Sequence, residues 1–93
     1  DTATTEIYTL SLHDALPIFN AYLQKGEVEK AVETGEKLVE LAPAFGLGHN
    51  NLAYAYYVKG DFARAIEHVD TAIGLGFQVH PDFLKELEAH RSA

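Results

Sequence analysis

Apolar residues recur along this chain at steps of three and four, and glycine or proline interrupts them at short intervals, the pattern of amphipathic helices joined by tight turns. In EVEKAVETGEKLVELAP, residues 27–43, Val28, Ala31, Val32, Leu38, Val39 and Ala42 share one helix face, and Pro43 ends the helix. Glu33 precedes Lys37 by one helical turn, the spacing of an exposed ion pair. LGHNNLAYAYYVKG predicts a second helix stopped at Gly60, where positive φ is expected. DFARAIEHVDTAIGLG predicts a third, with Asp61 as N-cap and Phe62, Ala65, Ile66, Val69, Ala72 and Ile73 on its buried side. Gly74 and Gly76 are expected to loosen its end. HPDFLKELEAHR predicts a fourth, with Pro81 near its start and Phe83, Leu84 and Leu87 facing inward.

The pattern repeats at an offset of 34 residues. Tyr22 then meets Tyr56, Gly26 meets Gly60, Ala31 meets Ala65 and Leu41 meets Leu75. The chemistry matches where the letters differ: Glu27 with Asp61, Val28 with Phe62, Val32 with Ile66, Val39 with Ile73. Two helices joined by a glycine-acid turn at this period resemble the tetratricopeptide repeat. Leu52, Ala53 and Tyr56 match that family's leucine, small residue and tyrosine on the first helix, and Gly60-Asp61 its turn. Ala65 matches the small residue where the two helices cross, Val69 the large apolar site after it, and Ala72 the second small site. Upstream, Tyr22, Gly26, Ala31 and Pro43 match in the same way. Four positions depart: Phe19 for a small residue, Gly35 for a large one, His49 for tryptophan, and Phe77 for proline.

The resemblance spans about residues 19 to 79 and implies an all-α fold. Antiparallel helix-turn-helix hairpins would stack as part of a right-handed α-solenoid, with a short C-terminal capping helix. The expected units are an incomplete first repeat at 19–45, a complete one at 46–79, and a capping helix and tail at 80–93. The implied function is a non-catalytic interaction or scaffold module whose concave helical groove takes a peptide or partner protein. The alternative is a spacer or tether within a longer enzyme or a secretion or assembly protein. Leu47, Asn50, Tyr54, Tyr57 and Val58 fall where the family's first helices line the groove. Aromatic side chains with a polar tip suit peptide contact because they bury area at low entropy cost. One sub-class grips chaperone-tail carboxylates with lysine and asparagine. Here Asn50 replaces that lysine and Tyr54 that asparagine, which speaks against such a clamp.

Charge and composition narrow the partners. Seven basic against fourteen acidic residues give −7, the wrong sign for nucleic acid or an anionic membrane surface. The absence of cysteine removes thiolate nucleophiles, disulfides and cysteine-based zinc sites. No apolar run approaches the ~20 residues that span a bilayer, and nothing fixes the compartment. Phosphate loops, nucleophile elbows and paired catalytic carboxylates are missing, so neither an enzyme nor a cofactor is expected. Of the five histidines, none has the i, i+4 spacing of a helical zinc pair, and no metal site is expected. Glu67 and Asp70, close to His68 on the same helix, read as a solvated face. Glu27, Glu29, Glu33, Glu36 and Glu40 read as another, with a dock for a basic partner as the lesser alternative.

The first eighteen residues, DTATTEIYTLSLHDALPI, contain no lysine, arginine or glycine and break these rules. The repeat asks for a helix over about 12–25, yet Pro17 would interrupt it at a cost of about 3 kcal/mol. Apolar side chains between Leu10 and Phe19 could still cover the open side of the first hairpin. The stretch is identical to one reading frame of a widely used sequencing-library adapter. Residues 1–18 are therefore expected to be a translated artefact, with the native chain starting part-way through a repeat. Ser11, His13 and Asp14 then form no catalytic triad. Removing Asp1, Glu6 and Asp14 from fourteen acidic residues leaves eleven against seven basic, a net of −4.

Overall fold

The computed structural model describes residues 12–91, with side chains from Pro17 onward. Most of the adapter-like stretch, including Ser11 and the side chains of His13 and Asp14, lies outside these described residues. Among them the chain forms five α-helices and no strand: α1 (Leu12–Gln24), α2 (Val28–Leu41), α3 (Gly46–Lys59), α4 (Phe62–Gly74) and α5 (Pro81–Arg91). Each helix packs on the next in sequence, α3 on α4 most extensively. The fold is the expected all-α stack of helical hairpins.

The turns follow from glycine chemistry. Gly26 and Gly60 have φ of 78° and 92°, the left-handed region that side-chain-bearing residues avoid. Both close the preceding helix identically. Glu27 N–H donates to the Tyr22 carbonyl and Asp61 N–H to the Tyr56 carbonyl, each at 2.9 Å. Asp61 then caps α4, its side chain accepting the Arg64 N–H at 3.2 Å. That bond, with the Arg64 guanidinium, holds the Asp61 carboxyl below its ordinary value. Gly76, expected to loosen α4, instead adopts φ of 87°, and Phe77 N–H closes the helix onto the Ala72 carbonyl at 3.0 Å. A Cβ at Gly60 or Gly74 meets nothing within 4 Å, so substitution tests the backbone alone. Gly60→Ala should lower stability by about 1–2 kcal/mol through left-handed strain. Gly74→Ala, inside a helix without positive φ, should raise it by at most about 1 kcal/mol. Urea unfolding followed by circular dichroism distinguishes the two signs.

The core runs along the stack. Ala31, Ala53, Ala55, Ala65 and Ala72 are fully buried, letting helix backbones approach closely, and Leu38, Leu52, Val69 and Leu87 fill the spaces between. Ile73, expected inside, is 45% exposed. It follows Ala72 by a single residue, a rotation that carries it off the α4 face packed on α3. The expected Glu33–Lys37 pair is replaced by Lys37–Glu40 at 3.8 Å, since both residues are exposed and either neighbouring turn is within reach.

The departures from the repeat pattern compensate one another. Phe19 is 1% exposed, and its ring edge lies where a Cβ on Gly35 would come within 3.3 Å; Leu52 Cδ1 would be nearer still, at 2.9 Å. A large residue on α1 thus fills the space that a small one on α2 leaves. Phe77 is half-buried and lies against Gly46 at the start of α3, where any Cβ would meet its own at 2.8 Å. Pro17 sits inside α1 without ending it. Burial of Phe19, with Tyr22 and Leu23 packed on the core, outweighs the local propensity that predicts a break there.

Candidate partner-binding site

Most of the α3 surface is already used. Leu52, Ala53, Ala55 and Tyr56 are buried against neighbouring helices. Tyr54 and Val58, one turn apart, remain 45% and 46% exposed on the opposite side. Facing them on α1 are Asn20, Leu23 and Gln24, also one turn apart. These five residues line an open cleft of about 380 Å³. Its lining combines two amides, a phenol and aliphatic surface with no charged group, a composition suited to holding neutral polar main chain beside an apolar side chain.

The other groove candidates lie elsewhere. Leu47 and Asn50 are half-buried earlier on α3 and do not line the cleft. Asn50 Oδ1 is buried without a hydrogen-bond partner. Tyr57 turns towards the C-terminal helix, its ring edge-on to Phe62 and Phe83 at 5.7 Å from each. Its hydroxyl donates to Glu86 at 3.0 Å, which pushes its pKa up. Tyr54 also meets Phe83 edge-on at 5.7 Å, so α5 supports the cleft's aromatic wall. Asn20 and Gln24 escaped the sequence reading although a signal existed: they stand 34 residues before Tyr54 and Val58.

A second, part-buried cluster lies between α3 and α4. His49, in the place of the family's tryptophan, is 8% exposed. Its Nε2 lies 2.8 Å from the Pro43 carbonyl and its Nδ1 lies 3.2 Å from His68 Nδ1. A carbonyl only accepts, so His49 carries its proton on Nε2, and His68 must donate from Nδ1. The ring centroids are 5.4 Å apart, about the hydrogen bond plus one ring radius at each end, and the planes differ by 25°. The rings therefore meet edge to edge in a near-linear N–H···N bond. That leaves no convergent lone pairs for a metal, and no group of three or more potential ligands occurs among the described residues.

The Tyr56 ring lies nearly parallel to that of His68, with centroids 5.7 Å apart and planes 10° apart. Its hydroxyl donates to Glu36, and burial, reinforced by that carboxylate, pushes the phenol up to about 12. Glu36, read above as part of a solvated face, is thus half-buried, as is His68. The tight α2–α3–α4 contact at Ala31, Ala53 and Ala65 draws both into the interface.

Residues 20–45 match the family model described as Tetratricopeptide repeat. No curated protein matches the chain. None of the helices among the described residues is long and apolar enough to cross a membrane.

Proposed function

Given that residues 20–45 match the tetratricopeptide repeat, a class of protein–protein interaction module, we propose that this chain binds an extended peptide segment in the cleft between α1 and α3. The observation that carries this reading is the cleft's construction. Asn20 and Gln24 on α1 face their repeat counterparts Tyr54 and Val58 on α3 across an open, uncharged groove. The amides offer a donor and an acceptor each to peptide main chain. The Tyr54 ring, Leu23 and Val58 supply apolar surface for one inserted side chain. The partner is a protein, recognised at a neutral, partly apolar segment rather than at a terminal carboxylate, since no lysine or arginine lines the cleft. The role that this uncharged lining supports is binding and scaffolding.

An array of immobilised uncharged peptides probed with the full chain tests this reading. Tyr54→Ala should weaken captured peptides about 10- to 100-fold, as expected for a central aromatic anchor. Tyr54 is exposed, so the helical circular dichroism should not change. Asn20→Ala should weaken the same peptides less. Capture indifferent to both substitutions would overturn the cleft and favour the spacer reading.

A further inference from the structure

We propose that His49 and His68 form an acid-sensitive latch between α3 and α4, closed by one N–H···N hydrogen bond when both rings are neutral and opened when both are charged. The geometry admits only one arrangement of protons in the closed state. His49 Nε2–H is committed to the Pro43 carbonyl at 2.8 Å, so its Nδ1 must accept from His68 across 3.2 Å. A first added proton goes to His68 Nε2 and leaves the bond intact. A second has only His49 Nδ1 to occupy, which sets two N–H groups against each other and two cations edge to edge. The latch also holds the α2–α3 loop, because Pro43 lies in it.

The groups around His68 come from three helices. Glu36 on α2 and Glu67 on α4 favour its charged form; His49 on α3 opposes it, and the Tyr56 ring lies nearly parallel to it at 5.7 Å. Arg64 lies over the far-reaching Tyr56 ring, 5.9 Å from its centroid. Burial outweighs the carboxylates and holds His68 below its ordinary 6.5. The unfolded chain therefore binds more protons in this range, and stability rises with pH. The contribution of neutral His68 is complete above about 6.5 and is lost as pH falls from there through its folded-state value, while the bond to His49 itself opens only with the second proton. Asp61 and Asp70 are held below 3.8, so their own losses fall in a separate, more acidic window.

The test compares urea midpoints of the full chain at about pH 7.5 and about pH 5.5. The wild-type midpoint should fall on acidification. His68→Asn should start lower and show little further fall, while His80→Gln, at an exposed histidine, should fall like wild type. A His68→Asn variant that keeps the wild-type fall would overturn the proposal. Should that variant not fold, imidazole nitrogen spectra of the wild type decide. The expected result is a His49 Nε2–H and His68 Nδ1–H pair at about pH 7.5, with charging that tracks the loss of stability. Other tautomers, or charging without loss of stability, would refute the latch.

Discussion

Phe19→Ala is expected to lower the unfolding free energy by about 3–5 kcal/mol, the range for removing a fully buried aromatic ring. A chain of this size has only about 5–14 kcal/mol to lose, so much of the population should unfold or release α1. The cause is specific to this pair of helices. Phe19 lies over Gly35, and truncating it opens a cavity that glycine cannot help to fill. Gly35→Leu alone should also destabilise, by about 1–3 kcal/mol, because its Cβ starts 2.9 Å from Leu52 Cδ1 and 3.3 Å from Phe19 Cε2. In the double variant the leucine occupies the volume that the ring vacates. Its loss should be smaller than the two single losses added, by about 0.5–3 kcal/mol. Urea unfolding of the four proteins closes the cycle. Strict additivity would mean that the two departures from the repeat pattern are independent, and the compensation would be refuted.

That pair shows where reading the chain succeeds and where it stops. Helix positions, the Gly60 turn, the Asp61 cap and the buried alanines are local or periodic features, and a single sequence carries them. Phe19 and Gly35 each appear as a fault when taken alone; only the helix crossing shows that one answers the other. The same holds for His49 and His68. Nineteen residues separate them, no motif joins them, and their bond depends on the crossing of α3 over α4. Glu36 looks like one of five solvated glutamates until Tyr56 from the next repeat reaches it. Tyr57 lies on the helix that bears the groove, and it turns away because Phe62, Phe83 and Glu86 supply a better-matched site. By contrast, Asn20 and Gln24 were within reach of the 34-residue offset that identified the repeat, since the cleft uses the same register on both walls.

Leu87→Ala is expected to release α5 at a cost of about 2–5 kcal/mol, whereas Arg91→Ala should cost less than about 1 kcal/mol. The two substitutions separate burial from ion pairing as the force that holds the last helix. Leu87 is fully buried beside half-buried Phe83 and Leu84, so its truncation leaves a void that a short terminal helix cannot close. Arg91 bonds Asp70 through both terminal guanidinium nitrogens, at 3.1 and 2.5 Å, and lowers the Asp70 carboxyl by that bond. Both ends of the pair remain wet, with 32% and 52% of the side chains exposed, so solvent screens most of the Coulomb gain. Hydrogen exchange should show α5 amides losing protection in Leu87→Ala while α2 and α3 keep theirs, because α5 packs chiefly on α4. Peptide capture should weaken too, since releasing α5 removes Phe83 from behind Tyr54. An Arg91→Ala loss equal to that of Leu87→Ala would show that the ion pair, not the buried leucine, fastens the cap.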